Sequence, residues 1–351
     1  MSTSVASAFS IAKATGGVTA PDGFTAAGLH CGIKAKPGAL DLCILAAPEP
    51  AAALGCPVEQ VLVASTGVIG VGLKMDKVVP GIRQSAANLD RGQGGVMARA
   101  IMTTDPFPKE HAVTVKTPRG TFTVGGTAKG SGMIEPNLAT MLGFLTTDAK
   151  VEPAVLQQAL RASADDTFNA ITVDGECSTN DCVFALASGA SGVEIDEDLY
   201  PALVAGLYEV SRELAIGIVR GGEGATKLIT IAVRDARSVA DARRVAKTIA
   251  NSPLVKTAVH GADPNWGRIV AAAGRSGAAF EVNRATVRVG GILLFENGLP
   301  HDGNAPQAAE HMKQTDVSID VQLGTGGGGD ATVWTCDLTA EYVKINGEYR
   351  T

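Results

Sequence analysis

Apolar positions along the chain recur at two spacings, every second residue in some stretches and every third or fourth in others, and the two kinds alternate. Residues 113–117 and 120–126 alternate apolar and polar positions on either side of Pro118-Arg119, the pattern of a β-hairpin. Residues 141–147 are almost uninterruptedly apolar and read as a buried strand. Further strands are expected over 61–64, 227–233, 287–295, 317–323 and 331–335. Helical spacing appears over 76–88, at Val78, Val79, Ile82 and Ala86 with Pro80 near the start, and again over 152–164, 199–216 and 238–250. Ser238 stands where the last of these helices needs an N-cap. No period repeats, and no low-complexity linker divides the chain. Interspersed strands and helices give an α/β (α+β) fold class.

Composition sharpens this picture. A length of 351 residues is enough for about two domains. Apolar residues make up 45% but aromatics only 4%, so the core has to be built from Ala, Val, Ile and Leu. The 30 Lys and Arg against 36 Asp and Glu give a net charge of -6, and the basic residues are scattered. That excludes nucleic acid as an expected partner. No apolar run approaches the roughly 18 residues of a membrane span, so a soluble, cytoplasmic protein is expected. The serine-rich, acid-free opening leaves plastid or mitochondrion as alternatives and itself reads as a frayed terminus. The six cysteines, Cys31, Cys43, Cys56, Cys177, Cys182 and Cys336, form no CxxC pair, and the five histidines do not gather. Buried free thiols are expected, and no metal site.

Three glycine-rich stretches invite a phosphate-binding reading. Residues 324–329 formally fit GxGxxG, but a strand follows where a helix N-terminus is needed, so a hairpin loop is expected. Residues 221–227 lack the spacing of a P-loop and read as a turn with Glu223 solvated. Ser65-Thr66-Gly67 closes a predicted strand. Taken alone it is a strand-to-helix turn; its alternative use is as convergent backbone donors for an oxyanion.

The stretch GSGMIEPNLATMLGFLTTD, residues 130–148, sets Thr140 between the small Ala139 and a buried strand. By itself such a threonine merely starts the strand. If the turn before it strains the Ala139-Thr140 peptide, the Thr140 hydroxyl can attack the Ala139 carbonyl, and water then cleaves the ester. The new α-amino group, with an ordinary pKa of about 7.7 to 8.0, would take the hydroxyl proton near neutral pH.

The motifs LVASTGVIG, AIMTTD, VGGTAKGSGMIEPNLATMLGFLTTDA, ITVDGECSTND, GGEGATK, LVKTAVHGADPNWGRI and CDLTAEYVKINGEYRT, in this order, closely resemble the ornithine acetyltransferase family, the glutamate N-acetyltransferases of the acetyl-cycling route to arginine. The resemblance runs from about residue 17 to 351. It implies the fold shared with DmpA-type aminopeptidases and self-cleavage between Ala139 and Thr140. The products would be an α chain (1–139) and a β chain (140–351), paired into a heterotetramer. It further implies Thr140 as nucleophile, Thr66 and Gly67 as oxyanion pair, and Thr103, Lys129, Thr140, Glu223, Asn346 and Thr351 as the residues that bind substrate. Lys129 suits an α-carboxylate, Glu223 an ammonium; Asn346 alone would read as a turn residue beside Gly347. The implied reaction is ping-pong transfer of acetyl from N-acetylornithine to glutamate without metal or organic cofactor, acetyl-CoA being an alternative donor that the residues leave open.

Across residues 41–60 the chain is much shorter than the family pattern, with Pro48, Pro50 and an alanine run near 46–53 where the family has additional strands. A rearranged or damaged N-terminal region is expected there. Two other readings stand beside the transferase: an N-terminal-nucleophile aminopeptidase or amidase that delivers the acyl group to water, and an inactive, uncleaved relative.

Overall fold

The computed structural model describes residues 9–13, 48–56, 61, 62, 64–135 and 141–348. Two sheets carry the architecture. The first has the order β1-β2-β3-β4-β5: β1 (Ser10–Lys13), β2 (Lys109–Thr117), β3 (Gly120–Lys129), β4 (Leu142–Thr147) and β5 (Cys182–Ala187). Its first four strands are antiparallel neighbours, and β4 and β5 are parallel. The β4 to β5 connection carries α4 (Pro153–Asp165), as parallel pairing requires.

Alternation does what the sequence pattern predicts. Val113, Val115, Phe122 and Val124 point inward from the hairpin and pack with Leu203, Leu207, Val210 and Leu214 of α5 (Tyr200–Arg220). At Gly206 of this helix a Cβ would lie 2.9 Å from the Val115 side chain, so the glycine lets helix and sheet approach.

The second sheet runs β11-β6-β10-β7-β8-β9, built from β6 (Leu228–Ala236), β7 (Thr286–Val289), β8 (Ile292–Glu296), β9 (Leu299–Pro300), β10 (Asp316–Gln322) and β11 (Gly329–Cys336). Helices α6 (Val239–Ala250), α7 (Pro253–His260), α8 (Trp266–Gly274) and α9 (Ala305–Met312) complete this half. Ile229, Ile231 and Val233 of β6 are fully buried against Val245 and Ile249 of α6. Ser238 caps α6 as expected, its hydroxyl accepting the Asp241 amide. In the N-terminal third, α1 (Pro48–Leu54) packs on α2 (Met75–Ala87), and α3 (Gly94–Ala100) leads toward β2. The last element, α10 (Ala340–Glu348), returns to the first sheet's end of the molecule.

Several expectations need correction. Residues 61–64 form no strand among the described residues beyond an isolated bridge at Ala64, and Leu62 is exposed. An apolar run supplies propensity, but a strand also needs a partner's ladder. Ser10–Lys13 of the supposedly frayed terminus is paired with residues 113–116. The span 287–295 is two strands, since Gly290 and Gly291, at φ 61° and 76°, turn the chain back with Val289 opposite Ile292. Asn297-Gly298 repeats the device between β8 and β9, at φ 54° and 75°.

The loop at 324–329 is no hairpin, because β10 and β11 lie on opposite sides of β6. Its Gly326 and Gly328 amides donate to the Asp235 carboxylate at 3.1 Å each. The glycine amides that invited a phosphate reading thus hold an internal carboxylate. Of the thiols, Cys336 is buried, Cys56 and Cys182 are half-buried and Cys177 is exposed; Cys31 and Cys43 lie outside the described residues. No helix among the described residues is long and apolar enough to cross a membrane.

Candidate active site

Lys129 ends β3 at the mouth of the first sheet, and its side chain is buried, 2% exposed. Its ammonium donates to the Thr66 hydroxyl at 3.3 Å and to the Thr103 hydroxyl at 3.4 Å. Both partners sit on loops that the sheet itself does not fix. Asp105 holds one of them, accepting the Thr103 amide at 3.2 Å and the Gly130 amide at 2.8 Å while paired with Lys109. Burial alone would raise the Asp105 carboxyl, but Lys109, Lys129 and the Gly130 amide hold it below the ordinary range, so it stays ionised.

The Thr66 loop is held from two sides. Ala64 is buried with Ile101, Leu142 and Phe144, which seats the loop on the start of β4. The Asn180 amide donates to the Ser65 carbonyl. Thr66 is buried, whereas Gly67 is exposed and its amide meets no acceptor among the described residues. That is the state required of a donor kept for a ligand's oxygen.

Opposite Lys129 lies Glu223, on the turn after α5. It is 9% exposed rather than solvated, because its amide donates to the Ser131 carbonyl at 2.9 Å and its Oε2 accepts the Asn346 amide at 2.9 Å. Asn346 is therefore a helical residue of α10, not part of a turn. Gly132 explains how Glu223 fits: a Cβ there would lie 2.4 Å from Glu223 Oε2. Gly224, at φ 69°, lets α10 come in, since its Cβ would be 2.5 Å from the Tyr342 amide.

Thr66, Gly67, Thr103, Lys129, Glu223 and Asn346 all line one cavity of about 160 Å³. Six residues scattered over 281 positions of sequence thus meet at one place. Lys129 is the one basic side chain among the described residues lining it, against the carboxylates of Asp174, Glu176 and Glu223. One cation facing several anions matches a small zwitterion with separate carboxylate and ammonium groups. Ala139, Thr140 and Thr351 lie outside the described residues; Met141, next to Thr140, immediately precedes β4.

Sequence reasoning missed four groups that build this site: Asp105, Asp174, Asn180 and Asp181. Asp174 accepts the Met133 amide at 2.7 Å and the Ile134 amide at 2.9 Å, with the Tyr342 hydroxyl donating to it at 3.2 Å. It holds Met133 in the left-handed region, φ 58°. Asp181 accepts the Met141 amide at 2.5 Å. Burial pushes its carboxyl up to about 7. Asp174, Asn180 and Asp181 all stand in the motif ITVDGECSTND, so the available signal was acids and an amide clustered in a turn-forming stretch.

A two-sheet α/β scaffold with a buried lysine, a loop amide that meets no acceptor among the described residues and a carboxylate-lined cavity is a setting that suits an acyl-transfer enzyme. The chain belongs to the ArgJ family, whose model matches residues 39–351. The arginine biosynthesis bifunctional protein ArgJ of Symbiobacterium thermophilum is 48% identical over 304 residues, covering 86% of this chain and 75% of that protein. Its counterpart from Chlorobaculum tepidum is 42% identical over 392 residues, covering 94% and 96%. The mitochondrial protein of that name from Yarrowia lipolytica is 46% identical over 301 residues, covering 83% and 70%. Among solved structures, arginine biosynthesis bifunctional protein ArgJ from Bacillus halodurans matches with a TM-score of 0.58 and 42% identity, over 60% of this chain and all of that one.

Proposed function

We propose that the cavity moves an acetyl group from N-acetylornithine to glutamate, with Thr140 as the nucleophile released by cleavage after Ala139. The observation that carries the reading is the convergence of Thr66, Gly67, Thr103, Lys129, Glu223 and Asn346 on one cavity, with the Thr66 loop packed against the start of β4. Thr140 attacks the acetyl carbonyl, and the oxyanion is received by the Gly67 amide and Thr66. Lys129 binds the α-carboxylate common to both substrates, and Glu223, oriented by Asn346, binds the distal ammonium of ornithine. Thr351 is a further candidate for binding substrate. The Thr140 amine takes the hydroxyl proton and passes it to the leaving ornithine nitrogen; glutamate's amine then attacks the acetyl-threonine and loses its proton through the same amine to the departing Thr140 oxygen, giving N-acetylglutamate and free Thr140. The cycle uses no metal or organic cofactor, and acetyl-CoA is a second candidate donor.

In this reading the enzyme is two chains, 1–139 and 140–351, in a heterotetramer. The Chlorobaculum alignment spans more residues than this chain has, so that relative carries residues this chain lacks. The enzyme is placed in the cytoplasm or an organelle matrix.

The test is the intact mass of the purified protein under denaturing conditions, followed by an assay with N-acetylornithine with and without glutamate. Two polypeptides, the second starting at Thr140, and glutamate-dependent release of ornithine are expected. A single species near 35.8 kDa overturns the reading. Two chains with release independent of glutamate point to an amidase.

A further inference from the structure

Self-cleavage poses a problem that the finished enzyme does not have. Before the cut the Thr140 nitrogen is an amide and cannot accept a proton, so the base that serves later turnover does not yet exist. Some other group must take the hydroxyl proton and return one to the departing nitrogen.

Among the described residues, Asp181 is the carboxylate that accepts the amide of Met141, the residue after Thr140. Asp181 precedes β5, and its Oδ1 is pinned by the Met141 amide at 2.5 Å and the Ser178 hydroxyl at 3.1 Å. Its Oδ2 is inaccessible to solvent and has no hydrogen-bond partner among the described residues. A buried carboxylate oxygen without a partner is costly and calls for an explanation. The Met141 nitrogen closes the peptide that follows Thr140, so bond lengths alone keep both the Thr140 nitrogen and its hydroxyl within about 5 Å of it. The same turn binds the Ser65 carbonyl through Asn180, so one short segment ties the oxyanion loop to the cleavage point.

We propose that Asp181 is the proton carrier of self-cleavage. Resting on the reading of Thr140 as nucleophile, the step balances as follows. Asp181 Oδ2 takes the Thr140 hydroxyl proton as Oγ bonds to the Ala139 carbonyl carbon. The carbon-nitrogen bond then breaks, and the same proton passes from Asp181 to the leaving nitrogen, giving an ester and an amine. Water hydrolyses the ester, leaving the Ala139 carboxyl and a free Thr140 hydroxyl. Burial keeps the Asp181 carboxyl near 7, so both its forms are populated at neutral pH. The groups facing it are the Lys129 ammonium from β3 and the Cys182 thiol, which burial and Asp181 push up to about 11, so it does not titrate in the same range.

The experiment follows cleavage of the full chain made by cell-free synthesis, read as intact mass against time, for wild type, Asp181→Asn, Asp181→Glu and Thr140→Ala. Asp181→Asn keeps an oxygen for the Met141 amide but cannot carry the proton. It should cleave at least about 100-fold more slowly, with Asp181→Glu recovering part of the rate. Cleavage of a folded Asp181→Asn chain within about threefold of wild type overturns the proposal and leaves the nucleophile reading standing. Cleavage of Thr140→Ala, or none in wild type, removes that reading and the proposal with it. If circular dichroism shows Asp181→Asn unfolded, the wild-type pH profile decides. The base form is needed, so the rate should rise with pH through a midpoint near 7. A rate that is flat from about pH 5.5 to 8.5 overturns the proposal.

Discussion

Replacing Gly132 by alanine adds one methyl group, and the structure says where it goes. Its Cβ would meet Glu223 Oε2 at 2.4 Å, Cδ at 2.6 Å and Oε1 at 2.9 Å. Gly132 is not in the left-handed region, so the backbone accepts alanine and the whole effect must pass through Glu223. That carboxylate is buried and held by Asn346, so it yields by leaving its place and giving up that hydrogen bond. A hydrogen bond to a charged group is worth about 1.5 to 3 kcal/mol, which becomes roughly a 10- to 100-fold rise in KM for N-acetylornithine. The KM for glutamate, which has no distal ammonium, should change less. Steady-state kinetics on the cleaved enzyme gives both values. A double-mutant cycle with Glu223→Ala isolates the cause, because the clash vanishes once the carboxylate is gone. An unchanged KM for N-acetylornithine, or an equal effect of Gly132→Ala in both backgrounds, would refute the reasoning.

Three further outcomes follow from the same geometry. Lys129→Met keeps an unbranched side chain, one atom shorter, but removes the charge proposed to face the α-carboxylate, and kinetics should show KM for both substrates rising by about 100-fold. Asp337 accepts the Thr226 amide at 2.8 Å, the Lys227 amide at 2.9 Å and a contact from His260 Nδ1 at 2.8 Å. Burial alone would raise its carboxyl, but these donors hold it below the ordinary range. Its stabilisation is therefore present above the unfolded value of about 3.9 and lost as pH falls through the lower folded value. Asp337→Asn should cost about 2 kcal/mol in denaturant titrations at pH 7, with the gap to wild type closing only below about pH 4. Phe122→Ala, fully buried between the first sheet and its helices, should cost about 3 to 5 kcal/mol without changing KM in the protein that remains folded.

The local layer of this structure was legible in the residues. The hairpin at Pro118-Arg119, the strand entering after Thr140, the long helix at 200–220 and the Ser238 cap each follow from a period or a cap that acts over a few residues. The failures share a cause. Residues 61–64 have strand propensity but, among the described residues, no ladder beyond the bridge at Ala64, and the glycine loop at 324–329 reads as a hairpin until β6 is seen to lie between β10 and β11. Pairing is a property of two segments, and one segment's sequence does not carry it.

The site divides in the same way. The motifs named Thr66, Gly67, Thr103, Lys129, Glu223 and Asn346, because residue type and local spacing survive in the one-dimensional string. The closing of six distant positions around one cavity was decided by the fold, as were the burial of Glu223 under Gly132 and the placement of Asp181 with one oxygen on the Met141 amide and the other without a partner among the described residues. Burial and an unmet hydrogen-bonding group exist only once distant segments have excluded water, and that exclusion is a tertiary fact.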